Sequence, residues 1–241
     1  METNFEKKYH SLEKNHWWFV SRREMVLSLM RKIKKDSLIL DVGCSGGELL
    51  YDLEKSGFVN LSGTDISQDA ITLAKKRKSI SNFFVGDAQN LKINKKFDVI
   101  IASDVLEHLS DENKAITSWK NHLKPQGKII CFVPAFKFLW SNHDILNKHF
   151  KRYTLQNLSH LFISNGFFLE KSSFWNFFLF FPTLLLRLFF KNPKFSKNQL
   201  NLPNPVLNWF LIKILSFENK ILKTKNFPFG VSVFVVARNS Y

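Results

Sequence analysis

Two acidic residues in this chain stand at the ends of short apolar runs, about twenty residues apart. Leu38-Ile39-Leu40-Asp41-Val42 passes into Gly43-Cys44-Ser45-Gly46-Gly47 and then into Glu48-Leu49-Leu50. A buried strand, a turn that lets backbone approach a ligand, and a helix start with unpaired N–H groups make a nucleotide-shaped pocket. Leu61-Ser62-Gly63-Thr64-Asp65 ends a second run in another acid. A carboxylate there can accept hydrogen bonds from both hydroxyls of a ribose. Asp41, ahead of the first glycine, would repel a pyrophosphate but suits an ammonium or a ribose. That places a nicotinamide dehydrogenase last among the readings.

Two further groups carry polar chemistry. Glu107-His108 follows the apolar run 97–103, and a histidine placed there can take the proton of an O–H or N–H nucleophile. Downstream, His143, Asp144, His149, Arg152 and Tyr153 fall within eleven positions. His149 and Arg152 are suited to grip a phosphate or carboxylate, and His143 with Asp144 to act as a base and its orienter. Two histidines and one aspartate without fixed ligand spacing do not amount to a metal site, and none is expected.

The glycine turn resembles motif I of the class I S-adenosylmethionine (SAM) dependent methyltransferases, D-V-G-C-G-x-G. Ser45 stands where that family has its second glycine, which a small residue tolerates at negative φ. The resemblance continues in family order from about residue 38 to residue 133. Phe84-Val85-Gly86-Asp87-Ala88 looks like the third acidic site, Phe97 to Leu109 like strand 4 and its turn, and Leu123 to Cys131 like the approach to strand 5. It implies SAM as cofactor. Asp41, Gly43 and Gly47, with Cys44 and Ser45 between them, would shape the methionine side. Asp65 and Ile66 would hold the ribose, Asp87 and Ala88 the adenine, and Ser103, Asp104 and Val105 the floor near the methyl. His108 would lie near the substrate. The H-D…H-x-R-Y-T stretch, together with Trp17-Trp18-Phe19 and Arg22-Arg23, resembles a bacterial subgroup with ties to cell-surface glycan or lipid pathways.

The elements that must position these residues follow from periodicity. Apolar spacing predicts a helix over Trp17 to Lys34 through Phe19, Met25, Val26, Leu29 and Ile33. Strands are expected at about 38–42, 60–65, 82–86, 97–103 and 127–133, with helices between them. Thr154 to Asn165 reads as a capped helix stopped by Gly166, and Gly166 to Phe174 and Val231 to Arg238 as the last strands. The fold class expected is α/β: a doubly wound, seven-stranded, mostly parallel sheet with an N-terminal helix and a helical insertion between the last two strands. The chain would be one domain, with a helical cap over 1–36, a SAM-binding core over 37–174, the insertion over 175–228 and the last strand over 229–241. By family topology the insertion should overhang the mouth of the site.

In the insertion, Phe174 to Phe190 is apolar apart from Asn176, Thr183 and Arg187, and Pro182 interrupts it. Seventeen residues broken by a proline and an arginine fall short of a membrane span. Asn176, Thr183, Arg187 and Lys191 share a stripe. After a linker from Asn192 to Pro205, Val206 to Leu222 reads as amphipathic, with Leu207, Phe210, Leu211, Ile214 and Leu215 on one face and Asn208, Lys213, Ser216, Lys220 and Lys223 on the other.

The net charge is +15, and from Lys151 onward twelve Lys or Arg meet two acids and sixteen of the 26 phenylalanines. Such a composition fits an anionic membrane surface or nucleic acid. Strand 4 ends in Ser103-Asp104-Val105-Leu106, unlike the N/D-P-P-Y/W turn of base-amine methyltransferases, and Cys131 follows no proline. The leading expectation is therefore methyl transfer to a hydrophobic, lipid-linked or glycan-pathway small molecule. An RNA methyltransferase and a SAM-binding protein without turnover are the alternatives. Two cysteines and no apolar leader in Met1 to Lys8 point to the cytoplasm, at the inner face of the membrane.

Overall fold

Strand-forming runs that alternate with capped helices wind a seven-stranded sheet, described in a computed structural model for residues 10, 12–77, 79–189 and 202–240. The strands are β1 Leu38–Val42, β2 Asn60–Asp65, β3 Asn82–Val85, β4 Phe97–Ser103, β5 Leu123–Pro134, β6 Phe167–Trp175 and β7 Ser232–Asn239. Their order is β3-β2-β1-β4-β5-β7-β6, with β7 antiparallel to both of its neighbours. The expected fold class is the observed one. The helices are α1 Trp17–Leu29, α2 Glu48–Lys55, α3 Gln68–Lys75, α4 Glu112–Asn121, α5 Asn142–Leu146, α6 Leu155–Ser164, α7 Phe180–Phe189 and α8 Pro205–Ile221.

The sheet is buried on both faces, because side chains alternate sides along each strand and helices cover each side. Leu40, Ile100, Ile129 and Val235 join Trp119 and Phe162 in one apolar layer. Ile39, Ile101, Ile130 and Phe234 join Met25, Met30, Trp175 and Leu215 in the other. Short polar side chains start the helices by accepting otherwise unpaired N–H groups. Ser67 accepts from Ala70 N, Asp111 from Lys114 N and Thr154 from Asn157 N.

Several element boundaries differ from the sequence reading. α1 stops at Leu29 and tightens into a 3-10 turn over Met30–Lys32, so Ile33 is not on it. β5 begins at Leu123, which pairs with Phe97 across an irregularity in the register; Gln126 turns there with φ +62°. Asn176 is not on the stripe of Thr183 and Arg187: it ends the β6 run with φ +62°, and α7 begins at Phe180. Pro182 falls in the first turn of α7, where its missing N–H costs nothing. Lys191 and most of the 192–205 linker lie outside the described residues, as does the reading of Met1 to Lys8.

The faces of α8 also differ from expectation. Leu207 and Phe210, expected inward, are 46% and 54% exposed, whereas Asn208, expected outward, faces α1. Asn208 accepts from Trp17 N and donates to Asn15 O, and Asn219 donates to Ser21 O. Leu215 and Leu222 are fully buried beside this polar seam. Glu218, also fully buried, accepts from the backbone N–H groups of Asn176, Phe177 and Phe178 and so ties α8 to the end of β6. A hydrophobic-moment argument misses such a face, because its polar groups find partners inside. Among the described residues, no helix is long and apolar enough to cross a membrane.

Candidate active site

A cavity of about 520 Å³ opens at the carboxyl ends of β1, β2 and β4, inside the range of about 300–1,000 Å³ usual for ligand sites. Of the expected cofactor residues, Asp41, Gly43, Cys44, Ser45, Asp65, Ile66, Asp87, Ala88, Ser103, Asp104 and Val105 all line it. Gly47 does not. It precedes α2 with φ +79°, and a Cβ there would come within 2.9 Å of the Phe83 ring. Its role is to let α2 sit against β3, not to touch a ligand.

The glycine turn is held by β2. Thr64 O accepts from both Gly43 N (2.8 Å) and Cys44 N (3.0 Å). Gly43 has φ +71°, and a Cβ on it would meet Val105 Cγ2 at 2.4 Å. The close approach of turn and floor therefore requires glycine. Ser45 departs from expectation, with φ +48° in place of a negative value. Its strained backbone is bound on both sides: Ser45 N donates to Asp65 Oδ2 (2.9 Å), and Ser45 Oγ lies 2.7 Å from His10 Nδ1.

The acids differ in their surroundings. Asp41 is buried at the end of β1, and that burial pushes its carboxyl well above the usual range while the Arg22 guanidinium pulls it down. Asp65 is also raised by burial, against the N–H groups of Ser67 and Ser45 that favour its charge. Asp87 is exposed at the cavity edge, accepting from Gln89 N at 2.8 Å. Burial beside Asp41 and Asp65 drives the Cys44 thiol up, so it is no thiolate nucleophile.

The N-terminal segment supplies wall that sequence reasoning left without a role. His10, Glu13, Phe19, Arg22, Arg23 and Val26 all line the cavity. Arg22 pairs with Asp104, and Gly46 N donates to Glu13 Oε2 at 3.4 Å. The signal was present in Trp17-Trp18-Phe19 and Arg22-Arg23. Trp18 anchors α1 edge-on against Trp175, with ring centroids 5.0 Å apart, and the phenylalanine and arginines then face the site. No described residue of 175–228 lines the cavity. The described part of the insertion acts on it through α1, which it braces, and does not overhang it as expected.

The downstream cluster divides. His108 lines the cavity; burial and the nearby His149 lower its pKa to about 4, so it is neutral at pH 7. His143, Asp144, His149, Arg152 and Tyr153 do not line the cavity. Asp144, fully buried, is their hub. Its Oδ1 accepts from His149 Nδ1 (2.9 Å) and Arg152 Nε (2.8 Å), and its Oδ2 from Arg152 Nη2 (3.1 Å) and Ser141 N (2.8 Å). Those donors hold its pKa far below the usual carboxylate range, although burial opposes them. Arg152 also donates through Nη1 to Ala135 O, and its side chain is almost fully buried, so it grips Asp144 and not a substrate anion. Asp144 orients His149, not His143 as the sequence suggested, and His143 is held neutral by burial with a pKa near 3. Tyr153 is a core residue: its hydroxyl donates to Glu112 Oε2 (3.0 Å), and burial and Glu112 push its pKa far up. It packs and does not move protons.

Comparison with known proteins agrees with this geometry. Residues 40–131 match the methyltransferase domain family. A ribosomal protein L11 methyltransferase of Lactobacillus johnsonii is 36% identical over 110 residues, 44% of this chain and 34% of that protein. A ubiquinone biosynthesis O-methyltransferase of Rickettsia canadensis is 36% identical over 93 residues, 37% of this chain and 39% of that protein. The chain thus spans little more than a third of the length of these relatives. Among solved structures, the methyltransferase in complex with the Trm112 activator of Haloferax volcanii superposes with TM-score 0.66 at 16% identity, covering 99% of this chain and 95% of that one. Phosphoethanolamine N-methyltransferase 2 of Haemonchus contortus, solved with SAM, gives 0.61 at 16% identity over 91% and 52%. With the motif residues converging on one cavity of a sheet in this strand order, residues 40–131 are those of a class I SAM-dependent methyltransferase domain.

Proposed function

We propose that this chain transfers the methyl group of SAM to an oxygen or nitrogen nucleophile on a hydrophobic, lipid-linked or glycan-pathway small molecule beside an anionic membrane surface. The observation that carries the cofactor assignment is the convergence of Asp41, Asp65 and Asp87, from the ends of three strand runs, on one cavity. In this reading Asp41 faces the ammonium of the methionine, Asp65 the ribose and Asp87 the adenine amine. Arg22 offers the guanidinium for the methionine carboxylate.

The reaction is an in-line displacement. The acceptor's lone pair attacks the methyl carbon, the C–S bond breaks onto sulfur to leave S-adenosylhomocysteine, and the acceptor's proton departs to a base or to water. Positioning in a water-poor pocket supplies most of the catalysis. His108, neutral at pH 7, offers a lone pair at the acceptor end.

Two features support the acceptor class. Phe19, Val105, Leu109 and Phe150 give the cavity apolar wall. On the outer surface, α7 exposes Phe181, Leu185, Leu186 and Leu188, and α8 exposes Val206, Leu207, Trp209, Phe210 and Phe217, in a half of the chain rich in Lys and Arg. Such a surface suits contact with acyl chains and anionic headgroups. The Rickettsia relative, by its name an O-methyltransferase of ubiquinone biosynthesis, is in keeping with an oxygen nucleophile.

Calorimetric titration of SAM tests the pocket. Asp65→Ala should weaken binding at least about tenfold, about 1.4 kcal/mol, and unchanged affinity would overturn the assignment. Labelled methyl from SAM, offered to fractionated cell extract, tests the acceptor. Label in the organic phase is expected. Label in RNA or DNA would make the basic surface the relevant one, and no label with SAM bound would mark a binding protein without turnover.

A further inference from the structure

Behind the acceptor end of the cavity, the structure gathers a second set of groups that the sequence spacing did not reveal. Glu107 and His108 sit in the 3-10 turn Leu106–His108 after β4, and His149 follows α5 some forty residues later. One ligand atom from each of the three lies within 4.8 Å of the others. The His108 and His149 rings meet edge to face with centroids 4.6 Å apart. Phe150 N donates to Glu107 O at 2.7 Å, which clips the two loops together at this point.

Glu107 is the residue that asks for an explanation. It is fully buried, and neither Oε1 nor Oε2 has a hydrogen-bond partner among the described residues. A buried carboxyl group without partners costs several kcal/mol unless something outside the chain satisfies it. His149 is prepared in a complementary way. Its Nδ1 is engaged by Asp144, which leaves Nε2 as the atom free to ligate, and Asp144 is itself fixed by Arg152 and Ser141. A carboxylate that orients a histidine from behind is the usual outer support of a metal-bound imidazole.

We propose that Glu107, His108 and His149 bind one divalent transition-metal ion, with the remaining coordination positions open to the cavity. Two imidazoles and one carboxylate suit zinc, iron(II) or manganese(II), and are too nitrogen-rich for calcium or magnesium. A bound ion would draw the three ligand atoms, now within 4.8 Å of one another, to bonding distances of about 2.0–2.2 Å. His108 lines the cavity, so the ion's open side faces the acceptor end.

This site deepens the methyl-transfer reading and rests on it for its purpose. An acceptor hydroxyl bound to the ion loses its proton to solvent. The resulting oxyanion, still held at the ion, attacks the methyl carbon as the C–S bond breaks onto sulfur. The ion thus does the work otherwise asked of a general base: it lowers the hydroxyl pKa and fixes the oxygen in place.

The test uses untagged full-length protein stripped with chelator and titrated with Zn²⁺ against a chromophoric chelator, with SAM affinity measured on the same samples. One equivalent should bind. His149→Ala and Glu107→Gln should each weaken binding by on the order of 100-fold while SAM affinity stays. Co²⁺ should give visible absorption bands that both variants lose. Stoichiometric binding insensitive to either substitution, or no binding by protein that still takes up SAM, overturns the metal site and leaves the methyltransferase reading standing. Metal uptake by protein that does not bind SAM would overturn that reading alone. Should a variant lose its fold, wild-type protein decides the matter: Zn²⁺ should protect His108 and His149 from diethyl pyrocarbonate, and equal modification with and without the ion would refute the site.

Discussion

Arg22 on α1 forms an ion pair with Asp104, the residue that follows β4 at the floor of the cavity. Asp104 holds φ +53°, a conformation that Asp adopts more readily than most residues. The pair ties an N-terminal helix to the centre of the sheet, and the helix thereby becomes part of the site. Arg22 is 9% exposed, so neither charge is well placed to exchange its partner for bulk water.

Arg22→Met should therefore destabilise the fold by about 3 kcal/mol, because it leaves the Asp104 carboxylate partly buried and unpaired. It should also weaken SAM binding about tenfold or more if Arg22 holds the methionine carboxylate. Urea denaturation reads the first effect and calorimetry the second. Loss of stability with unchanged SAM affinity would confine Arg22 to a structural role.

Gly43→Ala and Gly57→Ala form a matched pair. Both glycines have positive φ, +71° and +90°, so alanine strains each backbone by about 1–2 kcal/mol. At Gly57 the nearest atom to a new Cβ is Lys35 Cδ at 3.9 Å, an ordinary contact, whereas at Gly43 it is Val105 Cγ2 at 2.4 Å. Gly43→Ala should be the more destabilising by about 1–3 kcal/mol and should abolish SAM binding, while Gly57→Ala leaves binding intact. Equal effects would mean that the turn and floor can move apart.

His16 makes stability depend on pH. It caps α1 by accepting from Trp18 N through Nδ1, and burial lowers its pKa from 6.5 to about 4. A lowered folded-state pKa means that the unfolded chain takes up the proton first. The stabilisation is present above about pH 6.5 and is lost as pH falls toward 4. His16→Asn puts a capping oxygen in place of the imidazole nitrogen and removes the titration. Denaturation midpoints at about pH 7 and about pH 5 should differ less in the variant than in the parent; an equal difference would assign the acid sensitivity elsewhere.

Surface residues of α8 test the membrane contact without disturbing the fold. Deleting the insertion would remove Glu218 and Asn219, which hold β6 and α1, so deletion confuses binding with folding. Trp209 and Phe210 are 58% and 54% exposed. Replacing both with Ser should reduce sedimentation with anionic vesicles about tenfold while leaving the circular dichroism and SAM affinity unchanged. Undiminished sedimentation would refute the membrane role of this face.

What the sequence determined by itself was local. The strand-turn-helix at Asp41 to Glu48, the acids at 65 and 87 and the Thr154 cap are short-range patterns, in which residue type and spacing suffice to set backbone shape. The fold class followed from their succession and from the family resemblance. Only the tertiary structure decided which polar groups face the ligand and which face each other. Arg152 and Tyr153 look like site residues in the sequence, yet they are buried and donate to Asp144 and Glu112. Arg22 carries no ion-pair partner in its sequence neighbourhood, yet it reaches Asp104. Asn208 looks like part of a solvated face, yet it finds backbone partners on α1 and before it. A polar side chain goes wherever its hydrogen bonds are satisfied, and in each of these cases the partner lies far away along the chain. Periodicity records the apolar face of an element and carries no information about a distant partner.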